Sequence, residues 1–353
     1  MLGSIEVSGP VWILLEIKII YVNYGRQELP RGKYGKVNVI LITGGFGYLG
    51  GRLAKRLVDS GKEKIVLGTR EISPKIPIKL TGCEVVQMKL DNHQQLISAC
   101  NNVETIIHLA AMNAPDCKAN PEQAFLINST GTRNLLEAAS ISSVKNFIYF
   151  STAHIYGSPL QGIINESTVP NPIHPYAVTH KRAEEYVLEF DSKNLINGIV
   201  LRLSNGIGAP LDLNVNCWML VANIFCRQAV IERKINITGS STERDFIPIT
   251  SVEDLIDFII KNPSSIADQN IMNVGSGVSM SIHKLSNLIA ERCSVLFNFS
   301  PEIKINDTNE ERITSKLEYV CDIYENLGIG TTTTLSEEID NLLLFCNKEF
   351  DCR

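Results

Sequence analysis

A chain of 353 residues with 44% apolar content and a formal net charge of −5 holds one large domain or two modest ones with a sizeable core. Its Lys and Arg are dispersed, which argues against nucleic acid as the main partner and leaves a small anionic ligand bound through local arginines. The nine cysteines are odd in number and form no CxxC pair, so they read as buried free thiols in a reducing, cytoplasmic compartment, and no metal-ligand spacing emerges.

Residues 11–22 are apolar, but Glu16 and Lys18 interrupt them. The run is too short for a membrane span and lacks the basic segment and cleavage site of a signal peptide. Residues 23–36 are rich in Gly, Arg and Lys and show no periodicity. Residues 1–36 are therefore read as an N-terminal extension, for which disorder and an added surface strand or helix both stay open.

The first strong pattern is Val37-Asn38-Val39-Ile40-Leu41-Ile42-Thr43-Gly44-Gly45-Phe46-Gly47-Tyr48-Leu49-Gly50. A β-branched apolar run suits a buried parallel strand, and the glycines at 44, 47 and 50 lead into helical spacing over 52–58. Strand, glycine turn and helix in that order make a phosphate cradle, because backbone amides can approach a pyrophosphate and the helix N-terminus adds positive dipole. Gly44, Gly47, Tyr48 and Leu49 are assigned to a dinucleotide on this ground; an ordinary tight turn is the alternative.

A second strand is expected over 64–70. The position where an acidic residue would hold the adenosine ribose of NAD is Gly68, and Arg70 follows it. An arginine there suits the 2′-phosphate of NADP, so NADP is favoured over NAD; Arg52 is a second candidate for that phosphate, and a solvated loop role for Arg70 is the alternative. A third strand over 83–91 ends at Asp91, placed to accept a hydrogen bond from the adenine amino group. Helical spacing follows at 96–100. A fourth buried strand over 105–111 ends in Leu109, Ala110 and Ala111, whose small size lets a cofactor lie close. Residues 125–139, with Asn128, have helical spacing, and a fifth strand over 146–150 runs into Ser151-Thr152. Strands alternating with helices predict an α/β, Rossmann-type doubly wound parallel sheet, with every carboxyl end on one rim.

The reactive residues follow that rim. Ser151-Thr152-Ala153-His154-Ile155-Tyr156-Gly157 leaves the fifth strand, and Pro175 opens a helix in which Tyr176 and His180 share a face. The hydroxyls of Thr152 and Tyr176 can grip one substrate oxygen while the tyrosine exchanges its proton and a hydride moves to or from nicotinamide. Tyrosine, with a free pKa of about 10, needs a nearby positive charge to act as a base near neutrality. Further on, 218–231 is an apolar-rich helix, 235–237 and 246–249 are short strands, 252–260 is an amphipathic helix, Ser281 opens another, and 316–327 and 335–346 look helical.

As a set and in this order, the motifs resemble the extended short-chain dehydrogenase/reductases, the NAD-dependent epimerase/dehydratase family that acts on nucleotide sugars. The resemblance rests on the GxxGxxG loop, His108-Leu109-Ala110-Ala111, Asn128 with Gly131-Thr132, Ser151-Thr152…Tyr156-Gly157, and Pro175-Tyr176. It continues in Leu201-Arg202-Leu203-Ser204-Asn205, Arg244-Asp245-Phe246-Ile247 and Met272-Asn273-Val274-Gly275-Ser276-Gly277. It implies a dinucleotide domain over 37–205 and, over 206–353, mainly a smaller C-terminal α/β substrate lobe from which some segments return to the sheet. It implies Tyr176 as acid/base with Thr152 as partner, Asn128, Tyr176 and His180 at the cofactor, and Asn205 and Arg244 on the diphosphate of a nucleotide sugar. For Arg244 a surface salt bridge is the alternative; for the 218–231 helix, expected over the substrate, plain core packing is. The resemblance also implies a homodimer paired through the helices near 125–140 and 176–190.

Two departures from the family pattern stand out. The usual Tyr-x-x-x-Lys ends in His180, and Lys181, one residue on, is turned about 100° away. A histidine can make the lysine's ribose hydrogen bond but is largely neutral above a pKa of about 6.5, so Tyr176 is expected to ionise less readily. The Asp-Glu pair of the 4,6-dehydratases is replaced by Ala153-His154, which disfavours that reaction. His154 is then an additional acid/base, a contact for sugar hydroxyls, or a histidine bonded to backbone. The expected activity is hydride transfer at a ring carbon, C4, of a nucleotide-linked sugar, by a 4-epimerase with held NAD or a ketoreductase with free NADPH. A non-catalytic dinucleotide-binding protein and a reductase of a small carbonyl compound are the alternatives.

Overall fold

Apolar strands that are buried on both faces need helices on both sides, and the chain supplies them in alternation. A computed structural model describes residues 38–266, 269–307, 316–330 and 332–350, so the expectation for residues 1–36 lies outside the described residues. Its elements are β1 (Val39–Thr43), α1 (Tyr48–Ser60), β2 (Lys64–Thr69), β3 (Glu84–Gln87), α2 (His93–Ala99) and β4 (Thr105–His108). Next come α3 (Ala114–Ala119), α4 (Pro121–Ala124), a π-helical turn over Phe125–Thr130, α5 (Gly131–Ile141), β5 (Asn146–Thr152), β6 (Gly162–Ile164) and α6 (Pro175–Ser192). They are followed by β7 (Asn197–Leu203), β8 (Asn205–Ile207), α7 (Val221–Glu232), β9 (Lys234–Ile237), β10 (Glu243–Pro248) and α8 (Ile249–Lys261). The chain continues through β11 (Ile271–Val274), β12 (Ser279–Ser281), α9 (Ile282–Phe297), β13 (Glu302–Ile305), β14 (Leu317–Tyr319), α10 (Ile323–Asn326) and α11 (Leu335–Phe350).

Seven of these strands form one parallel sheet in the order β11-β7-β5-β4-β1-β2-β3. The direction of winding reverses between β1 and β4, which opens a crevice beyond the carboxyl ends of those two strands. Side chains alternate across the sheet with period two. Leu41, Ile106, Phe147, Tyr149 and Val200 pack with residues of α2, α5 and α6. Ile40, Ile42, Leu67, Ile107, Ile148 and Leu201 pack on the other face with α1 and α8. Burying one such aliphatic side chain contributes about 1.5–3 kcal/mol, so both faces must be covered for the sheet to hold. A separate core joins α7, α9 and α11 to Ile235, Ile237 and Phe246 of the smaller sheets. The α/β doubly wound architecture with smaller C-terminal sheets is thus as expected.

Several local expectations change. Residues 316–327 do not form one helix: β14 pairs with β6, burying Leu317 and Tyr319 in alternation, and only the short α10 follows. The phenol of Tyr319 donates to the Arg202 carbonyl at 2.8 Å, a bond that fixes this stretch as extended chain. The helix expected from Trp218 starts at Val221, and Trp218 stacks near Phe345 and meets Phe350 edge-on, so its role is packing. The strand 197–203, quoted in the sequence only for its motif, is a central member of the sheet between β5 and β11.

A buried polar cluster ties α6 to the rim. Arg202 grips Glu184 through Nε at 3.0 Å and Nη2 at 2.8 Å, and both side chains are almost fully buried. Arg202 Nη1 donates to the Tyr156 hydroxyl at 2.7 Å, which donates to Asn273 Oδ1 at 2.8 Å. Several of the family-like residues, Tyr156, Arg202 and Asn273, therefore hold α6, β7 and β11 in register below the crevice.

Among the described residues, all eight cysteines are free and seven of them are buried. No described helix is long and apolar enough to cross a membrane, and no described group of His, Cys, Asp and Glu is placed to hold a metal ion.

Candidate active site

The glycine turn begins where β1 runs out. Gly44 takes φ of +70°, a conformation costly for any side chain, and a Cβ there would lie 3.0 Å from the Ala110 nitrogen. Cβ atoms on Gly47 and Gly50 would lie 3.0 Å and 2.3 Å from the Gly44 carbonyl oxygen. The turn is closed by Gly47 N–H donating to that carbonyl at 2.9 Å. The next element, α1, opens with no side-chain cap and no acidic residue in its first turn. Its leading amides and dipole are therefore free for an anion, the condition a pyrophosphate requires. Of the four residues assigned to this loop, Tyr48 behaves differently: its hydroxyl donates to the Gly208 carbonyl at 2.6 Å, so its side chain is a strut.

Thr43 organises the opposite wall. Its hydroxyl oxygen accepts from Leu109 and Ala110 N–H at 3.1 and 3.2 Å and donates to His108 Nδ1 at 2.6 Å. The His108 Nε2–H donates to Thr132 at 2.9 Å, and Thr132 donates to the Asn128 carbonyl at 2.7 Å. Burial, helped by His180, lowers the His108 pKa to about 3, so this chain of bonds runs through a neutral imidazole. Leu109 and Ala110 are thereby brought against Gly44, and Ala111 follows them, exposed. Asn128 sits below the rim: its amide accepts from Met112 N–H at 2.7 Å and donates to Thr179 at 3.2 Å, bracing the loop after β4 against α6.

At the far edge, Gly68 lies inside β2, and a Cβ there would come within 2.3 Å of Met88 Sδ. Arg70 is exposed just beyond β2 and makes no ion pair among the described residues; Asp91 is exposed beyond β3. Arg52 is not available for a phosphate. It bonds Glu253 at 2.7 Å and Glu338 at 2.5 Å and donates to Thr250 at 2.9 Å, pinning α1 to α8 and α11. Two carboxylates hold its guanidinium, and their positions, 201 and 286 residues away, could not be anticipated from local sequence.

Thr152 ends β5 and Tyr176 stands in the first turn of α6, near enough that the Thr152 hydroxyl bears on the Tyr176 phenol. Burial pushes the Tyr176 phenol up to about 12, Cys117 adds to the rise, and the nearby Thr152 hydroxyl opposes it. The rings of Tyr176 and His180 are 4.4 Å apart, one turn of α6. His180 is 3% exposed; burial first, and His154 second, lower its pKa to about 4. Its Nδ1 lies 2.7 Å from the Tyr149 hydroxyl, and its Nε2 is buried with no partner among the described residues. Tyr149 was not singled out in the sequence; its place at alternate spacing on β5, facing α6, was the available signal. Lys181 points outward and pairs with Glu185 at 3.1 Å, as the 100° turn requires.

His154 lies between this pair and Arg244. Its backbone N–H donates to Thr152 Oγ1 at 3.2 Å, its ring is 5.9 Å from His174, and its Nδ1 has no partner among the described residues. Burial, then Arg244 and His174, lower its pKa to about 4. Arg244 itself has no acidic partner among the described residues, and burial lowers its pKa. The neighbouring Asp245 points the other way along β10 and accepts from Ser204 at 2.5 Å and Ser276 at 2.8 Å. A part-buried guanidinium without a counterion is a strong anion site. Asn205 is close by but donates to the Asp245 carbonyl at 2.9 Å, which leaves its amide one free N–H.

The model of the NAD dependent epimerase/dehydratase family matches residues 40–275. A GDP-6-deoxy-D-talose 4-dehydrogenase from Aggregatibacter actinomycetemcomitans is 28% identical over 256 residues, 71% of this chain and 79% of that protein. A UDP-glucose 4-epimerase from Rhizobium leguminosarum bv. trifolii is 23% identical over 269 residues, 71% of this chain and 81% of that protein. The crystal structure of the Thermus thermophilus UDP-glucose 4-epimerase in complex with NAD covers 88% of this chain and 99% of that one. It superposes with a TM-score of 0.73 at 20% identity.

Proposed function

The chain belongs to the NAD dependent epimerase/dehydratase family, and from that premise we propose that it transfers hydride at a ring carbon, C4, of a nucleotide-linked sugar. The observation that carries this reading is the Thr152–Tyr176 hydroxyl pair at the crevice, with an unpaired arginine beyond it. Residues 37–205 hold the dinucleotide and 206–353 mainly the substrate. Gly44, Gly47, Leu49 and the α1 amides take the pyrophosphate, and Leu109 and Ala110 line its wall. When bound, the dinucleotide accepts or returns the hydride. Tyr176 takes the proton from the sugar hydroxyl in oxidation and returns it in reduction, while Thr152 holds the same oxygen. Arg244, with Asn205, receives the diphosphate, and His154 faces the sugar between the two groups.

The exposed Arg70 beyond β2, with Gly68 in place of an acid, supports NADP over NAD. The relatives named as a 4-dehydrogenase and a 4-epimerase both support a reaction at C4. Exposed Phe125, Leu126 and Val178, on the π turn and α6, support pairing with a second copy of the chain.

A thermal-shift panel of nucleotide sugars with NAD and NADP tests the reading. Expected are stabilisation by a nucleoside diphosphate sugar, loss of that stabilisation in Arg244→Ala, and loss of turnover in Tyr176→Phe. Nicotinamide absorbance retained through purification marks an epimerase, and an empty protein that takes up NADPH marks a ketoreductase. Turnover unchanged in Tyr176→Phe would remove Tyr176 as the acid/base, and no turnover with any nucleotide sugar would leave a non-catalytic binding protein.

A further inference from the structure

We infer that Tyr149 is the positioning residue of His180: its hydroxyl fixes the imidazole as the Nε2–H tautomer and so presents a neutral donor to the bound dinucleotide. The inference rests on the proposed cofactor site. The Tyr149 hydroxyl and His180 Nδ1 are 2.7 Å apart, and the two rings stack at 29° with centroids 5.9 Å apart. Either atom can donate to the other.

If Nδ1–H donates to the tyrosine oxygen, two groups are left unmet: the hydroxyl proton of Tyr149 and the bare Nε2. If the hydroxyl donates to Nδ1, only Nε2–H is left. Buried polar groups adopt the arrangement with fewer unmet partners, so Tyr149 donates. The imidazole is neutral, because burial holds its pKa at about 4, and Tyr149 keeps its proton, because burial raises its own pKa. The same directional logic operates at His108, where a threonine hydroxyl on Nδ1 leaves Nε2–H to donate.

The remaining Nε2–H is buried, has no partner among the described residues, and sits one helical turn from Tyr176. A buried donor with no partner among the described residues needs a water, ion or ligand atom to meet it. Its position on the Tyr176 face of α6 makes a hydroxyl of the dinucleotide that atom. Tyr149 is anchored in the central strand β5, and among the described residues His180 has no other hydrogen-bond partner to hold its ring. Removing the tyrosine hydroxyl therefore frees the tautomer and the ring orientation together, whereas a lysine at position 180 has no tautomer to set and turns three equivalent donors on a flexible stem.

The test reads the tautomer directly and then the affinity. Nitrogen-15 imidazole correlation spectra of the full-length protein near neutral pH, with the His180 signals assigned by their loss in His180→Gln, are expected to show a bare Nδ1 and a protonated Nε2. Tyr149→Phe is expected to mix the two tautomers and to weaken NAD(P)H binding, followed by nicotinamide fluorescence, about tenfold, the order of one hydrogen bond. In a His180→Lys background the same Tyr149→Phe change is expected to alter affinity less than about twofold. A proton on Nδ1 in the wild type overturns the inference without any variant having to fold. So does a well-folded Tyr149→Phe that binds the dinucleotide as tightly as wild type, or an equal tenfold loss in the lysine background. None of these readouts uses a sugar, so failure of the nucleotide-sugar reading would show separately, in the substrate panel.

Discussion

Replacing His180 with lysine should move the pH dependence of oxidation toward neutrality. Among the described residues no cation bears on Tyr176 to stabilise a phenolate: His180 is neutral, and burial pushes the phenol up to about 12. At pH 7 the ionised fraction is then on the order of 10⁻⁵, and it grows about tenfold per pH unit. The Tyr176 and His180 rings are 4.4 Å apart, so an ammonium at position 180 sits about 6 Å from the phenol oxygen. At an effective dielectric of about 20, that charge favours the phenolate by roughly 3 kcal/mol, or about two pH units. Initial rates of sugar oxidation between about pH 6 and pH 10 should rise steadily in wild type. In His180→Lys the curve should shift about two units lower, with a rate near neutrality up to about a hundredfold higher. The reverse reaction uses the protonated phenol and should stay flat over the same range in wild type, falling only toward about pH 10 in His180→Lys. Identical profiles, or a wild-type plateau near neutrality, would refute the reasoning.

Acid should destabilise the fold. Burial holds His108 at about 3 and both His154 and His180 at about 4, below the value of about 6.5 for an unfolded chain. The unfolded state binds the extra protons, so stability is complete above about pH 6.5 and falls as pH drops toward 4, by on the order of 2 kcal/mol per histidine near pH 5. Melting scans should give a lower Tm near pH 5 than near pH 7.5, with a smaller difference in His108→Gln; an unchanged difference would remove His108 from the account. Glu184→Gln leaves the Arg202 guanidinium buried without its charge partner and should lower stability by about 3–5 kcal/mol in denaturant titrations; a loss below about 1 kcal/mol contradicts this. Arg70→Ser should weaken NADP binding about tenfold and leave NAD unchanged, because only the 2′-phosphate meets that side chain; parallel changes in both would assign Arg70 to solvent.

Much of this molecule could be read along the chain. The β-branched runs, the glycines at 44, 47 and 50 and the alternation of strands with helices determined a parallel sheet and its binding rim, because these signals act over a few residues and repeat with a fixed period. Thr152, Tyr176 and His180 were also visible, since a strand end and one turn of helix suffice to align them. Long-range pairing was not visible. Arg52 read as a second candidate for the phosphate until Glu253 and Glu338 came to meet it, and 316–327 read as helix until Tyr319 found the Arg202 carbonyl. The same holds at the centre of the site. The sequence determined that a histidine stands where the family pattern has a lysine. Only the tertiary structure decided which state that histidine takes, because its charge depends on burial and its tautomer on a tyrosine 31 residues away.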